Sequence, residues 1–203
     1  MKKILVSIVA MVFALPTFAQ FSSGGFDLDK ENLYYGVRIG VSGGNFSGDA
    51  EVSGMKLGLN LGGVIGLRLS PTTPLFLESG LYYAERGGKD GKDKVGYNNL
   101  EIPLLIKYGI KAGDLAVLPF LGPYFAQAVS GKTTIGGQKF GTFDEKMWSA
   151  VKRFNMGLKL GCGLEFNNLY VEAGYQFGLN NISKEDDYTV HSNAFFANVG
   201  VNF

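Results

Sequence analysis

The chain is 203 residues long, 46% hydrophobic, 18% charged and 13% aromatic, with 30 Gly against 6 Pro. That size suits one domain, and the apolar fraction excludes intrinsic disorder, because there is enough apolar surface to offset chain entropy. With 19 Lys+Arg against 18 Asp+Glu, one His and one Cys, the composition excludes a basic nucleic-acid binder, a disulfide framework and a His/Cys metal cluster, and it calls for no cofactor.

Residues 1–19 read as a cleaved signal peptide. Lys2 and Lys3 form a basic n-region, Ile4 to Leu15 is an apolar run, and Pro16 ends it. Thr17 and Ala19 place small residues at the −3 and −1 positions, so cleavage is expected between Ala19 and Gln20. A helix over the apolar run would be about 18 Å long, short of the roughly 30 Å of a membrane core, which disfavours a retained anchor. Residues 20–32 are polar and Gly-rich and read as a periplasmic lead-in.

From residue 33 to 203 the pattern has period two, which is the signature of strands. Eight alternating segments run Leu33–Ser42, Met55–Ser70, Leu75–Arg86, Tyr97–Ile110, Leu115–Ser130, Val151–Phe166, Leu169–Leu179 and Asn193–Phe203. The gaps alternate in length. Gly43–Gly54, Gly87–Gly96, Gly131–Ala150 and Asn180–Ser192 are long, whereas Pro71–Pro74, Lys111–Asp114 and Asn167–Asn168 are tight turns. Short turns on one side and long loops on the other predict an all-β fold: an eight-stranded antiparallel up-and-down transmembrane β-barrel in the outer membrane.

The two faces of these segments separate. The second reads Leu57, Leu59, Leu61, Ile65, Leu67 on one side and Lys56, Gly58, Asn60, Gly62, Gly66, Arg68 on the other. The apolar phase is expected to carry no charge. A soluble lipid-carrying barrel would turn that apolar face inward, but eight strands enclose only enough room for a filling of side chains. The glycine-rich, charged phase is therefore assigned to the lumen and the bulky phase to lipid, where a Lys or Arg would cost about 2–4 kcal/mol at mid-depth. Tyr35, Tyr108, Phe166 and Phe203 fall at one end of the apolar phase and Tyr83, Phe154, Phe177 and Phe195 at the other, as two interface belts. The last segment alternates Phe195, Ala197, Val199, Val201 to a terminal Phe203, the pattern of an insertion signal read by the outer-membrane barrel insertion machinery.

Tyr97-Asn-Asn-Leu-Glu-Ile-Pro-Leu-Leu-Ile-Lys-Tyr108 resembles a strand of the PorT-like outer-membrane β-barrel proteins of Bacteroidetes. Phe120-Leu-Gly-Pro-Tyr124, Gly157-Leu-Lys-Leu-Gly-Cys-Gly-Leu-Glu-Phe166 and Val171-Glu-Ala-Gly-Tyr175 are similar to later strands of that family. The resemblance covers nearly the whole mature chain and implies a barrel. It also raises a place in a secretion apparatus, although strand motifs specify architecture and not activity.

Chemistry in the sequence is sparse. His191 is the only His, in the last long loop beside Ser192; neighbours in extended chain face opposite ways, which argues against a dyad and for a solvated loop residue. Lipid A-modifying barrels that use His near the outer rim keep an enzyme as one alternative, and a narrow pore is another. Cys162 falls in the lipid phase as an apolar filler, and Gly40-Val-Ser-Gly-Gly44 lacks the Lys and helix of a phosphate loop. The informative set is the lumen phase, where Arg38, Lys56, Arg68, Lys107, Arg153 and Lys159 meet Glu78, Glu101, Glu165 and Glu172. Buried charges must pair, so a network that closes the lumen is expected. Outside it lie the charged stretch Ala84–Gly96, the stretch Thr142–Arg153 with Trp148, and acidic Ser183–Asp187, which could loosely hold a divalent cation. The function expected is structural or interactive. Its partners would be outer-membrane lipid, the insertion machinery and, through the loops, other envelope proteins; nucleic acid is not among them.

Overall fold

The structure is a computed structural model that describes residues 33–49, 54–144, 151–185 and 187–203. The signal peptide, the Ala19/Gln20 cleavage site, the lead-in, Trp148 and Asp186 lie outside the described residues.

Ten strands follow in chain order: β1 Leu33–Gly48, β2 Gly54–Arg68, β3 Leu75–Asp90, β4 Asp93–Tyr108, β5 Ile110–Ala112, β6 Leu115–Ile135, β7 Gln138–Gly141, β8 Phe154–Phe166, β9 Leu169–Gly178 and β10 Val190–Asn202. Eight of them form the wall. Each pairs antiparallel with its neighbour in sequence; β4 pairs β6, and β1 pairs β10 from Gly36↔Asn202 to Gly48↔Val190, so the sheet closes on itself. Closure leaves no unpaired wall edge in the membrane, where an exposed N–H would find no water. β5 and β7 are short hairpin partners of β6 below and above the wall.

Two-residue turns close one end, and both demand a left-handed residue. Gly113 supplies φ 66° between Ala112 and Leu115, and Asn167 supplies φ 54° between Phe166 and Leu169. The opposite, outer end departs from expectation. Stretches assigned to loops are ladder: β3 and β4 stay paired to Asp90↔Asp93, β6 runs to Ile135 and returns as β7, and β10 begins at Val190. Gly91, Gly136 and Gly137 adopt positive φ at these hairpin tips, so the sequence signal for loop was the signal for tight turns between extended strands.

The outward phase holds the apolar residues, with Tyr35, Ile65, Leu81, Ile102, Leu121, Leu164 and Phe195 among those about half exposed to the surroundings. A charge breaks the expectation of a charge-free outward face. Glu85 falls on that phase near its outer edge, where β2 bulges between Met55 and Asn60, and its Oε2 accepts the Leu59 amide at 3.1 Å in place of a ladder partner. At the C-terminus, Phe195 and Val199 face outward and Val201 and Phe203 are half-buried on the same phase. Phe203 exchanges two backbone hydrogen bonds with Tyr35 (2.8 and 3.2 Å) and stacks on its ring, so the last residue helps seal the first and last strands.

Candidate functional site: the filled lumen

Lumen positions alternate with outward ones along each wall strand, and the lumen is filled in layers. Toward the turn end, Tyr34, Phe76, Ala116, Leu118 and Tyr170 form one apolar cluster; at mid-height Leu105, Phe120 and Phe196 form another. At the outer mouth Phe46, Tyr97, Ala128 and Ile182 pack together, with Val95, Phe143, Val151 and Val190 against them. Tyr97 and Ser192 share a hydrogen bond of 2.5 Å across this layer.

Glycine makes room for the rings. A Cβ at Gly62 would fall 2.5 Å from Tyr82, one at Gly161 2.6 Å from Phe120, and one at Gly174 2.6 Å from Phe196. A Cβ at Gly66 or Gly163 would overlap the rings of Tyr34 and Tyr170. Most of these glycines face their ring directly across a strand pair. The glycine face is thus a set of sockets, and the crowding inferred from sequence comes from aromatic side chains as much as from charged ones.

Between the apolar layers runs one connected polar network. Glu165 Oε1 accepts from Asn202 (2.9 Å), whose Oδ1 accepts from Arg38 (2.6 Å). Arg38 lies 3.8 Å from Glu78, which takes Lys107 Nζ at 2.8 Å and the Tyr34 hydroxyl at 2.8 Å. Lys107 donates to the Tyr170 hydroxyl (2.7 Å), which donates to Glu172 (3.1 Å). Glu172 accepts from Asn198 (2.7 Å), and Asn198 accepts from Asn60 (3.3 Å). Asn60 Oδ1 accepts from Arg86 (2.7 Å), which also donates to Ser42, Gln176 and Glu101. Glu101 closes the chain with Lys159 at 3.2 Å and Gln176 at 3.1 Å.

All eight ionic members are nearly solvent-free, at 0–2% exposure: Arg38, Arg86, Lys107 and Lys159 against Glu78, Glu101, Glu165 and Glu172. Four cations stand against four carboxylates: Glu78, Glu101 and Glu172 pair with them directly and Glu165 reaches Arg38 through Asn202, so the formal charges balance. That balance matters, because an unpaired charge at this burial would cost several kcal/mol. The cations also lie over ring faces, Arg38 4.0 Å from the Tyr170 centroid and Lys159 4.3 Å from that of Phe196, which adds attraction in a dry site. The network ties together side chains of seven wall strands. β6 contributes no member of it: its lumen residues at this level are apolar or aromatic, among them Leu118, Phe120 and Tyr124, and its buried Thr133 bonds Thr142 higher up.

Seven of the ten charges predicted for this set meet there: Arg38, Glu78, Glu101, Lys107, Lys159, Glu165 and Glu172. Three do not. Arg68 sits at the turn-side rim, donating to the Ser70 carbonyl (2.7 Å). Arg153 is exposed beside Phe143, its guanidinium 4.3 Å from the ring centroid. Lys56 leaves the lumen because β3 cuts inward beside the β2 bulge, and its side chain lies against Gly96 on β4. Sequence reading also left Arg86 out of the lumen set: it ends the segment Leu75–Arg86 but was counted with the charged outer stretch Ala84–Gly96. The parity of Phe76, Glu78, Gly80, Tyr82 and Ala84 continues to Arg86, and that signal was available. His191 and Ser192 occupy successive positions on β10, with Ser192 buried in the lumen phase and His191 on the opposite face. The two are not brought together for catalysis. Cys162 is exposed on the outward phase.

A closed eight-strand wall with a polar filling and an outward apolar face is the build of an outer-membrane barrel, and the sequence agrees: the family described as "Outer membrane protein beta-barrel domain" matches residues 18–184. The chain belongs to that family. Among solved structures the barrel is similar to Neisserial surface protein A, at 18% identity and TM-score 0.51, covering 85% of this chain and 100% of that one. Ail, the attachment invasion locus protein of Yersinia pestis, aligns at 17% identity and TM-score 0.46 over 85% of this chain and 100% of its own. A major outer membrane protein of Thermus thermophilus aligns at 15% identity and TM-score 0.48 over the same shares. At 18% identity the likeness to Neisserial surface protein A is one of fold. No curated protein matches the sequence.

Proposed function

We propose that this barrel is a closed, non-enzymatic wall of the outer membrane that acts as a rigid scaffold. It would present its outer strands and loops to neighbouring envelope proteins, within an envelope or secretion assembly of the PorT-like kind in Bacteroidetes. The observation that carries the reading is the lumen: a charge-balanced network joining seven wall strands, overlain by the Phe46–Tyr97–Ile182 cluster at the outer mouth. Such a filling favours stiffness over passage, since eight strands leave little bore beyond their own side chains. The PorT-like assignment is supported by the four strand motifs, Tyr97–Tyr108 foremost. The alternating C-terminal strand supports recognition by the insertion machinery. The placement of His191 and Ser192 on opposite faces of β10 weighs against lipid-modifying chemistry at that pair.

Planar-bilayer recording of the purified barrel tests the scaffold reading. No reproducible conductance steps are expected, and steps that disappear in a variant with an altered lumen, such as Lys159→Met, would establish the narrow pore instead. Affinity purification from native membranes tests the assembly, with stable co-purification of other envelope proteins as the expected result.

A further inference from the structure

The seams between wall strands are not alike. β1–β10 runs without a break from Gly36↔Asn202 to Gly48↔Val190, and β6–β8 from Leu115↔Phe166 to Gln127↔Phe154. β4–β6 is interrupted. Its ladder lacks Leu104↔Pro123 and Leu105↔Gly122, then resumes over Ile106↔Leu121 and Lys107↔Phe120. It fails again opposite Pro119, before β5 takes it up at Ile110↔Val117. Proline explains both gaps, since it brings no N–H to a ladder and is otherwise confined to sheet edges and bulges. In this register residues 123 and 119 would donate to the Leu104 and Tyr108 carbonyls, and in hydrocarbon no water replaces the lost donors. Toward the outer end the same seam also shifts register between Asn98 and Asn99.

Pro103 makes a similar gap in β3–β4, where Gly80↔Pro103 and Leu81↔Ile102 are missing. There side chains bridge the break. Ser79 Oγ donates to the Pro103 carbonyl at 2.9 Å, and the ion pairs Lys107–Glu78 and Arg86–Glu101 join the two strands through the lumen. β4–β6 lacks such ties. Among the described residues, the one side-chain hydrogen bond from β4 to β6 is Asn98 to Ser130 (2.9 Å), at the outer end. Beside the gap the strands touch through Leu105 and Phe120, with Lys107 5.2 Å from the centroid of that ring. β4 is instead strapped past β6: Glu101 faces Ala126 of β6 and pairs with Lys159 of β8 at 3.2 Å.

We propose that β4–β6 is the seam at which this wall opens. The opening is a slit at mid-height, with Pro123 exposed on its outward side and the Leu105–Phe120–Phe196 cluster behind it. The Glu101–Lys159 pair is its latch, because it holds β4 to β8 while β6 stays laddered to β8 alone. In the ring of wall strands the slit stands opposite β1–β10, so the seam that joins the two ends of the chain is the fixed side. Motion is confined to one line of a wall that is otherwise stiff, and local opening of this kind is read directly by amide exchange.

The test is amide hydrogen exchange of the full barrel in phospholipid nanodiscs, read residue by residue by NMR. The amides of Leu104, Ile106 and Leu121 are expected to exchange at least about tenfold faster than those of Ile39 and Val41 in β1. Pro123→Val returns the missing donor and should slow the three seam amides by about the same factor. Pro103→Ala, which mends β3–β4, should leave them fast. Lys159→Met releases the latch and should speed them more than it speeds Ile39 and Val41. Seam amides as protected as those of β1 would overturn the proposal. Unchanged exchange in Pro123→Val would overturn it too, because the gap would then have no hold on the motion. Heat-modifiable gel migration reports whether each variant is folded, and the comparison of seams within the unaltered barrel stands in either case.

Discussion

The lumen and the outer sheet use the same residue types under opposite rules. In the lumen, four cations and four carboxylates are almost fully buried and joined in one network. At the outer ends of β3, β4, β6 and β7, Lys89, Lys94, Lys132 and Lys139 share one face of the register, with Asp90 and Asp93 on the other. Burial explains the contrast. A charge in a dry interior must be matched where it stands, while a solvated one can be left for something outside the chain. Charge balance is therefore a structural requirement in one region and a free variable in the other, and substitutions should respond accordingly.

The largest effect is expected at Glu101. It holds Arg86, Lys159 and Gln176 at once, with no exposure. Glu101→Gln keeps the shape and leaves two buried cations without their carboxylate, a loss of about 3–5 kcal/mol. Urea unfolding in lipid vesicles, followed by Trp fluorescence, should show it as a lowered midpoint. Glu165→Gln is the contrast within the same lumen, because Glu165 takes a single hydrogen bond, from Asn202, and the amide oxygen can still accept it. Its cost should stay within about 1 kcal/mol. Equal losses at both sites would mean that the network is not where the lumen's stability resides.

A smaller effect separates rings from charges. At Gly66 a methyl group has no room beside the Tyr34 ring, and that ring positions the hydroxyl that donates to Glu78 at 2.8 Å. Gly66→Ala should cost about 1–3 kcal/mol through overpacking. Gly113→Ala is not a fair control, because its φ of 66° strains any side chain. Gly63→Ala, on the outward phase with only the Gly36 carbonyl 3.9 Å away, is the fair one and should be nearly neutral. A barrel that tolerates Gly66→Ala as well as Gly63→Ala would show the sockets to be loose.

The wall was readable because period-two alternation is imposed strand by strand, between lipid and lumen. The segment 97–108 shows it in one line, with leucines and isoleucines alternating with Glu101 and Lys107. What failed were features set by distant neighbours. Lys56 has lumen parity against Gly44 of β1, yet the bulge in β2 and the inward course of β3 redirect it, and no local pattern announces that register shift. The outer ends were missed for a different reason. Gly, Lys and Asp are poor strand formers, and the stretch 87–96 is held in a ladder by pairing across β3, β4 and β6 rather than by its own preference. Arg86 was legible by parity at the end of the segment Leu75–Arg86 and was lost because it was counted with the charged outer stretch 84–96.

The smallest expected effect lies on the outer sheet and carries the opposite sign. Lys89 and Lys94 are exposed and directly opposed. In detergent, Lys94→Gln removes a repulsion and should raise stability by a few tenths of a kcal/mol, within the usual range of about 0.5 kcal/mol for surface changes. The gain should shrink as salt rises from about 0.01 M to 1 M, because the screening length falls from about 30 Å to 3 Å. Glu101→Gln should show no comparable salt dependence, since ions do not reach a pair buried inside the wall. If Lys94→Gln were destabilising and indifferent to salt, the lysine row would be serving the fold itself, and the division between a balanced interior and an unbalanced exterior would fail.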